Sequence, residues 1–191
     1  MTATERAIII YAALAGTLAA ALVTLVVVGP RWLSAPAPEE TAPPAAVAEV
    51  RKIHARLLYV SEDGTHLTPV EQEVLFAEGA TEQAKRIIEA QVAPPKPPLV
   101  SAIPAGTKVK TVFVTPKGEA YVDLSSEVRT NHPGGTTNEI LTAYTLVAAL
   151  TLNLPAITGV QILVEGREVD TLVGHMDLRH PLEQDGRWMG E

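Results

Sequence analysis

Five histidines stand in this chain, His54, His66, His132, His175 and His180, and what each could do depends on its neighbours. None has the i, i+4 or short-range partner that zinc sites use. The tightest grouping is His175 and His180 on either side of Asp177, and a solvated tail explains it better than a metal site. Asp123-Leu124-Ser125-Ser126-Glu127 puts two hydroxyls among carboxylates. A nucleophilic serine needs a strained turn with oxyanion donors, usually framed by glycines. No glycine flanks Ser125 or Ser126, so their expected task is to hydrogen-bond the backbone where a strand ends. Gly134-Gly135 before a helix start invites an anion-site reading. The lysine and spacing of a phosphate loop are missing, and a flexible loop capped by Thr136 or Thr137 is expected instead. No catalytic, cofactor-binding or metal-ligating residue is assigned.

Composition narrows the classes further. Cysteine is absent, which removes disulfides, thiolate chemistry and a cysteine for lipid attachment. The formal net charge is −7, and residues 53–191 carry 11 basic against 18 acidic side chains. That balance argues against nucleic acid or an anionic lipid surface as the domain's main partner. Aromatic content is 4%. Of Trp188, Tyr59, Tyr121, Tyr144, Phe76 and Phe113, the aromatics of the domain and its tail, most fall at core-facing positions, which leaves a glycan-stacking surface poorly supported.

The elements that would position these residues start near Lys52. Residues 53–60 read as a strand, Glu62-Asp63-Gly64 as a turn, and 68–76 as an ambiguous short strand. Thr81 is expected to cap a helix reaching about Val92, with Ala84, Ile87, Ile88 and Val92 on its apolar face. Pro94 and the prolines after it forbid continuation. Residues 107–115 and 119–124 form a β-hairpin around Pro116-Lys117-Gly118, with Val109, Thr111 and Phe113 on one face and Lys108 and Lys110 on the other. Thr136 and Glu139 have capping-box spacing ahead of a helix over about 138–152. Ile140, Tyr144, Val147 and Thr151 make its expected stripe, with Leu141 and Ala148 beside it. Strands at 160–164 and about 168–171 close the order. The fold class this predicts is α+β, with two helices packed on one face of a small mixed or antiparallel sheet.

Ahead of the domain, residues 7–28 form an uncharged run of 22 residues. At about 1.5 Å per residue such a helix spans the roughly 30 Å hydrocarbon core of a bilayer. The reading is one uncleaved transmembrane anchor. A cleaved signal peptide is the alternative, but its apolar centre runs to about 7–15 residues, and the candidate site Ser34-Ala35-Pro36 carries a proline. Arg6 and Arg31 flank the run, so charge says little about orientation. The brief 1–6 segment suggests that it stays cytoplasmic while the domain lies outside. Residues 29–51, with Pro36, Pro38, Pro43 and Pro44, read as a semi-stiff spacer. The expected organisation is segment 1–6, anchor 7–28, linker 29–51, domain 52–183 and tail 184–191.

Five pieces of the domain, in order, resemble the GerMN domain family. They are Leu58-Tyr59-Val60 through Leu67; Ser101-Ala102-Ile103-Pro104-Ala105-Gly106-Thr107; Ala120-Tyr121-Val122-Asp123-Leu124-Ser125-Ser126-Glu127; Ile157-Thr158-Gly159-Val160 through Gly166; and Asp177-Leu178 with Pro181-Leu182. Two departures are Val128, where the family commonly has an aromatic, and the loop Leu152-Asn153-Leu154-Pro155. One copy is present, whereas some members carry two. The resemblance implies an extracytoplasmic, membrane-anchored module that in spore formers helps assemble a complex between two membranes. The resulting expectation is a non-catalytic interaction module. Its partner would be an envelope protein or a second copy, met at an exposed strand edge. A tethered cell-wall glycan-binding module is the alternative, and an envelope hydrolase has the least support.

Overall fold

The computed structural model describes residues 51–190. The 7–28 run, the residues before it and the spacer up to residue 50 lie outside the described residues. Among the described residues, no helix is long and apolar enough to cross a membrane.

Strand β1 (Lys52–Val60) pairs antiparallel with β2 (Leu67–Leu75) over their full lengths. The register puts Ile53, Ala55, Leu57 and Tyr59 opposite Val74, Gln72, Val70 and Thr68, so one face of the ribbon is mainly apolar. Ala55, Leu57, Tyr59 and Val74 of that face are buried. Helix α1 (Ala80–Val92) buries Ala84, Ile87 and Ile88, as the spacing requires. Thr81 is not its cap. The helix begins after Gly79 with no side-chain cap, and the Thr81 Oγ1 instead accepts the backbone N–H of Val114 at 3.2 Å.

Strands β3 (Val109–Val114) and β4 (Glu119–Leu124) form the expected hairpin. The expected facing is corrected. The register shifts between Val109 and Thr111, and such an irregularity exchanges the two faces of a strand beyond it. Val112 therefore enters the core at 4% exposure, while Phe113 is 54% exposed. The turn depends on Gly118. Its φ is +88°, and a Cβ there would meet the Ala156 carbonyl oxygen at 2.5 Å.

A short helix α2 (Glu127–Thr130), absent from the sequence expectation, leads to α3 (Thr136–Thr151). Strand β5 (Gly159–Val164) then pairs parallel with β4, and the two-residue β6 (Arg167–Glu168) folds back antiparallel on β5. The strands fall into two sheets, a ribbon β1-β2 and a mixed sheet ordered β3-β4-β5-β6, rather than the single sheet expected. Helix α1 meets β1, β2 and β3, and α3 meets β1 and β5, so both helices touch both sheets. That arrangement corrects the expected stripe of α3. Leu141, Ala143, Leu146, Val147, Ala148, Ala149 and Leu150 are all buried, whereas Ile140, Tyr144 and Thr151 are only partly so. A helix packed on several sides has no single apolar stripe to read.

Residues 184–190, set apart by sequence as a tail, return to the domain. Gly190 N–H donates to the Leu67 carbonyl at 2.8 Å, and Trp188 stacks on Tyr144 with ring centroids 6.2 Å apart.

Gly118→Ala is expected to cost about 3 kcal/mol, the sum of a left-handed backbone penalty and a backbone clash. Chemical denaturation measures it, and a loss under about 1 kcal/mol would mean that the turn relaxes freely.

Candidate functional site

The Ser125 hydroxyl does the strand-end work expected of both serines, whereas Ser126 bonds through its backbone. Ser125 Oγ accepts the Lys108 N–H at 2.9 Å, and Ser126 N–H donates to Glu165 Oε1 at 2.8 Å. Asp123 Oδ1 accepts the Gly166 N–H at 2.7 Å, and Glu165 also pairs with Lys110. The Asp123–Ser126 stretch thus ties the start of β3 and the tight β5–β6 turn to the end of β4. Among the described residues no histidine hydrogen-bonds to either serine. The Lys110 and Ser126 contacts hold the Glu165 carboxyl below its usual range.

The histidines are dispersed. His54 is exposed on β1, and His66 sits beside Asp63 in the β1–β2 turn, ring to carboxylate 3.5 Å. Hydrogen bonds from the Ser61 and Thr65 side chains and the Thr65 N–H hold the Asp63 carboxyl at about 2. Asp177 is taken by Arg179, whose Nη2 lies 2.7 Å from Oδ2, rather than shared between His175 and His180. No group of three or more His, Cys, Asp or Glu fit to hold a metal occurs among the described residues.

Neither Thr136 nor Thr137 caps α3, and the Thr136–Glu139 capping box does not form. The cap position is Gly135, without a side-chain bond, and Asn138 Nδ2 reaches back to the Gly134 carbonyl at 2.8 Å. Glu139 has other work. Fully buried, it accepts the backbone N–H groups of Leu172 (2.7 Å), Val173 (3.0 Å) and His175 (2.8 Å). Burial alone would push its carboxyl up, but these donors outweigh burial and hold it below the usual range. A carboxylate that accepts several N–H groups fixes a loop without a cation. Arg129 Nε on the Leu172 carbonyl, at 2.9 Å, holds the same segment from α2.

Part of the strand edge of the β1–β2 ribbon is closed. The outward groups of β1 meet side-chain amides that act as surrogate strands. Gln91 accepts from Leu58 N–H and donates to its carbonyl, both at 2.8 Å. Asn153 does the same at Arg56, at 2.8 and 2.9 Å. Val60 N–H goes to the Val100 carbonyl at 2.9 Å. On β2, Pro69 offers no N–H, the Leu67 and Leu75 carbonyls accept from Gly190 and Gln83, and Glu71 and Glu73 carry charge along the rest. On β5, Val160 exchanges bonds with Leu182.

Two grooves stand out among the described residues. A groove of about 1020 Å³ lies between α2 and the segment after β5, with Arg129 and Arg167 beside Glu165 and Glu168. A groove of about 650 Å³ is lined by Val92, Pro94, Val100, Ile103, Pro133 and Leu141 among others. Two of the polar side chains on its walls are already engaged. Asn131 Nδ2 donates to the Ala105 carbonyl at 2.8 Å, and Thr107 Oγ1 to the Pro104 carbonyl at 2.7 Å. Most of its lining is apolar, with Lys108 the one charged side chain among the residues that line it.

These features define an α+β domain in which Ser125, Asp123, Glu139 and Asp177 each hold backbone or a neighbouring side chain. The chain belongs to the Germane family, described as sporulation and spore germination, whose profile matches residues 56–170, and its domain is of the GerMN type. A crystal structure of a candidate lipoprotein from Clostridium perfringens is 24% identical, covering 72% of this chain and 91% of that one with a TM-score of 0.52. The tandem GerMN domains of the sporulation protein GerM from Bacillus subtilis match at 18% identity over 71% of this chain and 46% of that one, TM-score 0.48. The first GerMN domain of the same protein matches at 19%, over 70% and 96%, TM-score 0.48. No curated protein matches significantly.

Glu139→Gln is expected to cost about 3 kcal/mol, because an amide NH₂ would face the backbone donors that the carboxylate accepts. The folded carboxyl lies below its unfolded value of about 4.3, so its stabilisation is complete above that pH and is lost as pH falls through the folded value. Stability measured against pH should therefore fall less steeply below about pH 4.5 in the variant. Equal slopes would contradict the assignment.

Proposed function

We propose that the chain is a single-pass membrane protein whose GerMN-type domain stands outside the cytoplasm. There it binds another envelope protein, or a second copy of itself, in a sporulation- or germination-type or other envelope complex, and catalyses nothing. The observation that carries this reading is the use of the candidate reactive groups. Ser125, Asp123, Glu139 and Asp177 are each engaged in holding backbone or a neighbouring side chain. Family membership supports the process. The uncharged 7–28 run supports the anchor, and in a chain without cysteine it takes the place a lipid would fill. The Clostridium perfringens protein of like fold, a candidate lipoprotein, fits the same placement.

One observation favours a tethered glycan-binding module as the second reading. Phe113, 54% exposed, stands cross-strand from Tyr121 on the mixed sheet. Sedimentation with purified peptidoglycan, with and without Phe113→Ala, separates the two.

An alkaline-phosphatase fusion after residue 50 is expected to be active, and a cytoplasmic reporter active at that point instead would overturn the topology. Ser126→Ala and single alanine changes at His54, His175 and His180 should leave the cellular phenotype near wild type. Loss of phenotype with unchanged melting in any of them would favour an enzyme.

A further inference from the structure

His132 is held in one tautomer by its neighbours. Its Nδ1 accepts the Gly134 N–H at 3.0 Å, so that nitrogen carries no proton. The remaining ring proton is then on Nε2, which lies 3.2 Å from Thr142 Oγ1. With its own proton Thr142 Oγ1 donates onward to the Ala102 carbonyl at 2.7 Å, and the Asn138 carbonyl is 2.9 Å away. One relay thus joins the 131–135 loop, the first turns of α3 and the 101–107 segment. Those are three walls of the 650 Å³ groove, whose lining includes Asn131, Pro133, Asn138, Leu141 and Ala102.

We propose that His132 is an acid-sensitive latch on this groove, closed when the ring is neutral and opened when Nδ1 takes a proton and faces the Gly134 N–H donor to donor. The conflict is steric and electrostatic, because two N–H groups cannot share one hydrogen-bond line. Ring rotation cannot relieve it, since both nitrogens of the cation are donors. Gly134 and Gly135, at φ of +80° and +90°, give the loop a backbone able to move away. Two titratable side chains face the ring. Glu139 on α3 favours the cation, and His175 in the segment after β6 opposes it. Burial of the ring is the largest influence and holds it below the ordinary histidine value. The folded ring thus binds its proton less readily than the unfolded one, and the closed form loses ground as pH falls below about 6.5. This inference is independent of the partner-binding reading.

The test is nuclear magnetic resonance of the full chain in detergent micelles, with ¹⁵N-labelled histidine, between about pH 8 and pH 5. The expected spectrum shows His132 as the Nε2–H tautomer at the upper pH. As the ring titrates, the Gly134 amide should lose its hydrogen-exchange protection, by about tenfold per pH unit below the ring's midpoint after correction for intrinsic exchange. His132→Asn, which keeps an acceptor for Gly134 but does not titrate there, should show pH-independent protection at Gly134. An Nδ1–H tautomer, or Gly134 protection that stays constant while the wild-type ring titrates, would overturn the latch. So would the same loss of protection in His132→Asn. The tautomer readout needs only the wild-type chain, so failure of the variant to fold leaves the proposal open to refutation.

Discussion

A two-stranded ribbon is at best marginally stable in water unless something covers it. That constraint shapes this domain. The β1–β2 ribbon is separate from the four-stranded sheet, so it survives only by packing on α1 and α3, which also touch the larger sheet. The helices are therefore shared between two surfaces. Their burial follows from that sharing, and so does the demand that the free edge of β1 be satisfied. Gln91, fully buried on α1, and Asn153, just past α3, meet that demand with paired donor and acceptor bonds. At buried Leu58 a backbone group left without a partner would cost about 1–3 kcal/mol, so Gln91 is part of what makes one folding unit from two sheets, while Asn153 makes the same pair at the exposed Arg56.

The same economy runs through the loops. Glu139 gathers the segment after β6, Asp123 and Glu165 fix the β5–β6 turn, and Ser125 fixes the start of β3. Polar side chains that sequence reading weighs as chemistry are occupied in tethering backbone. The outer edge of β1 is closed in this way, whereas the Glu71–Glu73 stretch of β2 is not. Phe113 on β3 and Glu71 and Glu73 on β2 stand exposed.

Local pattern made much of the fold legible. The β1 strand, the Ala84–Ile87–Ile88 face of α1, the hairpin around Gly118 and the strand at 160–164 all follow from period and punctuation. Most of the errors share one origin, which is contact between residues distant in sequence. The stripe on α3 fails because the helix is covered from more than one direction. The capping box fails because Glu139 finds better donors 33 residues downstream at Leu172. Gln91 and Asn153 carry no local signal at all, since their partners in β1 are 33 and 97 residues away. The facing of Phe113 was lost to a register shift that alternation alone does not reveal.

The central claim is that side-chain amides close the ribbon's edge and join it to the rest. Amide hydrogen exchange on the full chain tests it directly. Leu58 and Arg56 N–H should be protected to the same order as the Val122 amide within the mixed sheet, while Glu71 and Glu73 on the unguarded stretch of β2 exchange far faster. Exchange of Leu58 and Arg56 as fast as that of Glu71 and Glu73 would contradict the account, because the edge would then be open.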